Sequence, residues 1–499
     1  MNFIKVFAVS LAFATALLAQ SPSKILKGAE KAMGGSNAIR SIRQSTITGT
    51  VKRIGDNAEG RFSIRLSKPN RFNIEYNLAA FRLEMGNNGR SGWTNDTALG
   101  LRTLTGQASN DFQAMSAFNN SLWLDLKKER AKIVSGGTAT VNGRVTNVVV
   151  VTTAKNVSYK LYFDRASALL VRDEFPFGET MWITTYSDHK KIDGVMTPFA
   201  FTRTTGAEEL AFTVEEVNNK SNVDVASFDF PKSTGDPLPD ITKLLAELQA
   251  NEDKVENILD TYSYIQKQTS RSIGKDGVVK ETGSETNQLS FYKGNRIRRL
   301  IEKNGKPLSL KDQEKEDKEV QKRVEEIEKR IAEKEAKGGP SNENTRRVSI
   351  AEVLRASRLI NPRRERMRGR DVIVFDFEPN PEFDYNNAKS MLKFFGKTAG
   401  VMWIDEKDKQ VARLEAFLAD NFNVGGGVVA KLRKGASFVI EQERINDEIW
   451  LPAVADINMS IRVLLLKGID INQVVKSYDY KKFATEVEGA KVGNKPLEN

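Results

Sequence analysis

Two carboxylates set ten residues apart with an arginine between them are the first chemistry the sequence offers. Asp164, Arg172 and Glu174 form one such set, and Asp405, Arg413 and Glu415 repeat it with the same spacings of eight and ten. Two acids facing one cleft can serve as proton donor and proton acceptor, so each set is a candidate for acid–base work. Its occurrence twice in a strand–turn–strand setting favours a plainer reading, a structural salt bridge or turn cap in both places. Other machinery is missing. The chain has one histidine, His189, and no cysteine, so neither a thiol nucleophile nor a transition-metal site built on several His or Cys ligands can be assembled. His189 precedes two lysines and reads as a surface residue in a turn before Asp193-Gly194. No phosphate-binding loop and no Gly-x-Ser-x-Gly elbow occur. Gly425-Gly426-Gly427 lacks the lysine and the strand-to-helix setting, and reads as a hairpin or bulge. The expectation is a protein that is not an enzyme, with no catalytic residue, no metal and no cofactor.

What must position these sets is an internal repeat. Lys68-Pro69-Asn70-Arg71-Phe72 returns as Lys293-Gly294-Asn295-Arg296-Ile297, an offset of 225. Gly143-Arg144 returns as Gly369-Arg370, an offset of 226. Tyr162-Phe163-Asp164 matches Trp403-Ile404-Asp405, and Asp193-Gly194-Val195 with Pro198 matches Asp447-Glu448-Ile449 with Pro452. Four matches in one order divide the chain: a signal peptide at 1–19, a first domain at 20–235, a linker at 236–240, a second domain at 241–485 and a tail at 486–499. The Pro- and Gly-rich stretch 231–239 can extend but not fold.

Within each copy the patterning has period two. Phe62, Ile64 and Leu66 alternate with Ser63, Arg65 and Ser67, and Phe72, Ile74, Tyr76 and Leu78 alternate with polar neighbours. One apolar and one polar face predict antiparallel sheet, with hairpins at Gly86-Asn87-Asn88-Gly89, Asn142-Gly143 and Asn304-Gly305. Helices are expected at 23–33, 110–130, 240–261 and 349–359, the last opening with a Ser349/Glu352 capping pattern. Residues 311–337 are almost all Glu and Lys, with Val320, Val324, Ile327 and Ile331 spaced four, three and four. That is one narrow apolar stripe on a helix of ~25 residues and ~38 Å. It suits a helix lying on its own domain better than a coiled coil, because two heptads are few.

The N-terminus indicates export. Lys5 precedes an apolar run at 6–18, and Ala19 gives a small residue before Gln20. This is the layout of a cleaved signal peptide, and the run falls short of the ~20 residues needed to span a bilayer. A periplasmic location follows, without a lipid anchor, because no Cys follows the signal. The 76 basic and 65 acidic residues give +11, which favours anionic surroundings such as lipid head groups. Nucleic acid is not expected as a partner of an exported chain. Arg363, Arg364, Arg366, Arg368 and Arg370, with Arg346, Arg347, Arg355 and Arg358 upstream, read as a solvated loop and helix face.

These pieces resemble the outer-membrane lipoprotein-sorting proteins of the LolA/LolB-like superfamily. The resemblance is carried by Ala32-Met33-Gly34-Gly35-Ser36-Asn37-Ala38-Ile39, the strand pair around Lys68-Pro69-Asn70-Arg71-Phe72, Gly89-x-x-Gly92-Trp93, and Asp193-Gly194-Val195-Met196-Thr197-Pro198-Phe199. The second copy carries it through Trp403-Ile404-Asp405 and Trp450-Leu451-Pro452. It implies a mostly β (α+β) fold: two tandem curved antiparallel half-barrels, each with lid helices over an apolar concave face, the second with the charged helical insertion. Such folds carry acyl chains. Alternation nominates Phe62, Ile64, Phe72, Ile74, Tyr76 and Trp93 as concave-face ligand contacts in copy one, and Phe291, Ile297, Trp403, Phe438 and Trp450 in copy two; packing as closed core is the competing reading. The expected function is binding or carrying a lipid, a lipoprotein acyl chain or another amphiphile. The expected partners are a lipid or acylated protein, with an anionic membrane surface or an envelope protein beside them. The alternative is a cell-envelope scaffold without small-molecule cargo.

Overall fold

The computed structural model describes residues 20–79, 81–232, 237–259, 261–293, 295–336, 353–354, 356–424, 430–463 and 469–482. Residues 1–19, read above as a signal peptide, Arg346, Arg347, Ser349, Glu352 and Arg355, the glycine run at 425–427, the tail at 486–499 and part of the linker lie outside the described residues.

Pro22 at the first turn starts α1 (Pro22–Ala32), and Ile25 and Ala29, one turn apart, form its buried stripe. The glycine pair Gly34-Gly35 stops it, both at positive φ, before α2 (Ser36–Ser41). Six strands then step outward in chain order: β1 (Gln44–Arg53), β2 (Glu59–Ser67), β3 (Arg71–Leu78), β4 (Phe81–Asn87), β5 (Gly92–Asp96) and β6 (Gly100–Thr103). After α3 (Gly106–Asn119) and a 3-10 turn (Leu122–Asp125), seven strands return inward. These are β7 (Lys132–Val141), β8 (Arg144–Thr152), β9 (Ser158–Asp164), β10 (Leu170–Phe177), β11 (Thr180–Ile192), β12 (Val195–Thr205) and β13 (Glu208–Asn218). First and last strands pair at the centre, Thr46 opposite Asn218, so β6 and β7 remain separate edges and the sheet is open.

The second sheet has the same out-and-back order. Its first strand, Tyr262–Ile273, pairs with its last, Ile469–Lys482, and Ser357–Met367 ends the far side. The architecture is thus mostly β, with two open antiparallel sheets and helices packed on them. In the first, Phe112 and Met115 of α3 are buried with Phe72 and Ile74 of β3, and the Phe72 and Phe112 rings meet edge-on at 5.8 Å. Complete burial of each such side chain contributes roughly 1.5–3 kcal/mol. In the second, Leu244 and Leu248 of α4 (Ile241–Leu259) bury themselves on Ile373, Phe375, Met402 and Ile404. The charged insertion forms α5 (Leu310–Ala336) and lies along the strand Asn295–Lys303, with Ile327 buried and Asp317 2.7 Å from Arg299.

Two expectations need correction. The helix read at 349–359 does not reach its expected end: residues 357–359 already belong to a strand, with Leu359 opposite Phe377. Pairing of Leu359 with the buried Phe377 favours strand over helix from Ser357 onward. The arginine cluster is also not simply solvated. Arg363 is buried between the two sheets, 3.1 Å from Asp376 and 3.0 Å from Glu365. From the first domain, Thr103 accepts a hydrogen bond from Arg363 at 2.8 Å, and Asn88 and Ser91 donate to Asp376 at 3.1 Å. Arg364 pairs with Glu406, and Arg370 with Asp405 and Asp408. Arg366 remains exposed. Alternation cannot foresee this, because the face Arg363 occupies is closed by the other domain rather than by its own.

Candidate ligand-binding site

The inward face of the first sheet is mostly apolar, and one polar row crosses three of its strands. On β12, Phe201 and Arg203 are both buried two residues apart; on β11, Trp182 and Thr184 are; on β10, Asp173 and Phe175 are. Strand register sets Asp173 opposite Thr184, and Thr184 opposite Arg203, so three polar side chains cross an apolar face in line. Tyr186 donates its hydroxyl to Asp173. Burial pushes the Asp173 carboxyl up to about 6, although the Tyr186 hydroxyl and the Arg203 charge work against it.

Beside this row lies a cavity of about 230 Å³ between sheet and helices. Its sheet wall includes Ile47, Ile64, Leu66, Phe201 and Val214; its helical wall includes Met33, Ile39, Phe118 and Trp123. The lining follows β12 from Val195 to Arg203, a span of ~26 Å at the usual strand rise, so the cavity is slender. Gly34-Gly35 fixes the entry of α2 at its Val195 end, where the Met196 amide donates to the Met33 carbonyl at 3.0 Å. Lys68 and Arg43 line that same end. The Lys68 ammonium donates to the Ile39 carbonyl at 2.5 Å, and burial, aided by Arg43 and Arg40, lowers its pKa. His189 also lines the cavity, which corrects its reading as a surface turn residue. Asp188 before it takes a φ of +49°, which interrupts the regular strand and hides the position from a period-two reading; burial lowers the imidazole pKa.

The eleven nominated residues separate by position. Ile64 lines the cavity. Phe62, Phe72, Ile74 and Tyr76 share its face but are closed core, with Phe62 and Tyr76 packed edge-on against Phe212 at 5.2 and 5.9 Å. Trp93 is buried away from that cluster, its indole N–H donating to the Phe228 carbonyl at 3.0 Å beside Phe230. In the second sheet, Trp403 clusters with Val372, Val374 and Val401, alternate to the residues that α4 covers, so it lies on the opposite face. Phe438 packs near Phe394 and Phe395, Ile297 is buried, Phe291 is half-buried, and Trp450 donates to Asp408 at 2.9 Å under Arg370. The residues that alternation passed over are Arg203 and Thr184. Their signal was a polar side chain in phase with an aromatic run: Arg203 two after Phe201, and Thr184 two after Trp182.

The carboxylate sets occupy other places. Asp164 caps its turn through the Ser167 amide and hydroxyl at 3.0 and 2.7 Å, while Glu174 takes the Tyr162 hydroxyl at 2.7 Å and Lys160 at 3.2 Å. Arg172 joins neither acid and donates to Thr185. Asp405 caps the Asp408 amide at 2.7 Å; burial alone would raise its carboxyl, but Arg370 and that turn hold it below the ordinary value. Glu415 binds Arg413 and, at 2.7 Å, the Gly106 amide of the other domain.

The fold and cavity define a class: a tandem of open antiparallel sheets under helices, with a slender apolar space in the first. Among solved structures, the chain is similar to a domain assigned as an outer membrane lipoprotein-sorting protein from Vibrio parahaemolyticus, at 10% identity over 41% of this chain and 94% of that one, TM-score 0.29. It is similar to a LolA superfamily protein from Nitrosomonas europaea at 14% identity, over 43% of this chain and 99% of that one, TM-score 0.30. Similarity to the MucA/MucB complex from Pseudomonas aeruginosa runs over 93% of this chain and 99% of that one, at 11% identity and TM-score 0.20. No family model and no curated protein matches the chain.

Proposed function

We propose that this protein is an exported, non-enzymatic carrier or sensor that holds the alkyl part of an amphiphile between its first sheet and the helices over it. The observation that carries this reading is the cavity, walled by aliphatic and aromatic side chains from both layers. Transfer of alkyl chain from water contributes ~0.8 kcal/mol per methylene, so ten buried methylenes supply ~8 kcal/mol before the cost of ordering. At about 230 Å³ the space lies below the ~300 Å³ lower end of ordinary ligand pockets, which suits one slender chain rather than a broad ring system. Export rests on the charged-then-apolar N-terminus. Among the described residues no helix is long and apolar enough to cross a membrane.

The test is native mass spectrometry of the chain from Gln20 onward, purified from a periplasm and offered fatty acids and phospholipids. One alkyl ligand per chain, lost when Ile64→Trp fills the cavity, supports the carrier. A mass that stays that of the bare chain under every lipid offered removes it.

A further inference from the structure

Resting on the carrier reading, we propose that Arg203 receives an anionic head group: the cavity selects a single-chain amphiphile ending in a carboxylate, bound head inward at Arg203 with its chain running along β12 toward α2. Arg43, Lys68, His189 and Arg203 line the cavity, and no Asp or Glu does. Arg203 stands apart from the other two cations, Arg43 and Lys68. It is 9% exposed, its Nε has no hydrogen-bond partner, and it makes no ion pair with any described residue. A buried Nε–H with no acceptor is costly, and an anion that takes it together with a terminal N–H, both left unpaired among the described residues, removes that cost.

Its surroundings leave the N–H edge available. The guanidinium carbon lies 4.9 Å from the Trp182 ring and 5.7 Å from the Phe212 ring, contacts that fix the group without using its donors. Asp173 is two strands away, ~10 Å at the usual strand spacing, and takes the Tyr186 hydroxyl. At the other end, Lys68 is already spent on the Ile39 carbonyl, and Arg43 is exposed, where water serves it. A planar carboxylate matches the guanidinium edge with two parallel hydrogen bonds. A glycerophosphate head is bulkier than so narrow a space favours.

Calorimetric titration of the full chain with palmitate, cetyl alcohol and lysophosphatidate, each below its aggregation limit, tests this. Palmitate is expected to bind at least about tenfold tighter than the alcohol, and tighter than lysophosphatidate. Arg203→Met is expected to weaken palmitate about ten- to hundredfold, the loss of a charge-assisted hydrogen bond, and to leave the alcohol unchanged. Arg43→Met keeps the acid-over-alcohol preference. Equal binding of acid and alcohol by the native chain overturns the Arg203 assignment and leaves the carrier standing, a comparison that requires no variant to fold. Tighter lysophosphatidate binding overturns the carboxylate in favour of a phosphate head. Failure of all three ligands to bind overturns both readings.

Discussion

Replacing Gly34 by alanine isolates what holds the lid end of the cavity in place. Gly34 has φ +116°, and a Cβ built there comes 2.1 Å from the Gly194 carbonyl oxygen, which is backbone and has no rotamer by which to escape. Two costs add. The left-handed backbone costs an alanine ~1–2 kcal/mol, and separating the two turns breaks the Met196-to-Met33 hydrogen bond, another ~1 kcal/mol. Gly35 is the internal control: its φ is +88° but nothing lies within 4 Å of its built Cβ, so Gly35→Ala carries the backbone cost alone. The expected losses are ~2–3 kcal/mol for Gly34→Ala and ~1–2 kcal/mol for Gly35→Ala. Because a two-domain chain does not unfold in one step, hydrogen exchange resolved on β12 is the assay, alongside urea denaturation. An excess of ~1 kcal/mol opens the Val195 end of β12 about fivefold more often in Gly34→Ala than in Gly35→Ala. Equal exchange in the two variants would refute the claim that the Gly34–Gly194 approach is what seats the helices.

Two further perturbations probe buried charge. The Asp173 carboxyl is raised from 3.8 to about 6 by burial, so the stability its neutral form contributes is complete below pH ~4 and lost as pH rises through about 6. Two units correspond to roughly 3 kcal/mol; Asp173→Asn is expected to remove that downward slope between pH 4 and 7, and parallel stability curves for variant and native chain sink the argument. At the interface, Arg363 and Asp376 side chains are 2% and 0% exposed. Asp376→Ala is expected to cost about 3 kcal/mol, because Arg363 loses one of its two carboxylates and the Ser91 hydroxyl its acceptor; the double variant with Arg363→Met is expected to cost less than the two single losses summed, because the pair is broken only once. Strict additivity in denaturant melts speaks against a coupled pair.

The sheet was legible because its signal is local. Phe62, Ile64, Phe72, Ile74 and Tyr76 all face the helices as their alternation implies, and the apolar stripe on α5 marks the side with Ile327 buried. The cavity was not legible. Wall and core residues share one face and one alternation; they differ in whether a helix side chain fills the space opposite, which is a property of a different stretch of chain. Trp93 and Trp403 failed for another reason: each sheet has two buried faces near these strands, so an aromatic residue does not reveal which one it occupies. Arg203 was visible as a cation in phase with Phe201, but a pattern of apolar residues is read for its members and not for its exceptions.

The central pairing of each sheet also decides when it can form. Thr46 meets Asn218 across 172 residues of chain, and Tyr262 meets Lys482 across 220. Such distant partners close a large loop before any reward is collected, which makes folding slow and late. A first half truncated anywhere before β13 therefore exposes β1 as a bare edge, a template for aggregation. The last strand of each sheet acts as its clasp: neither sheet is a safe object until that strand has arrived.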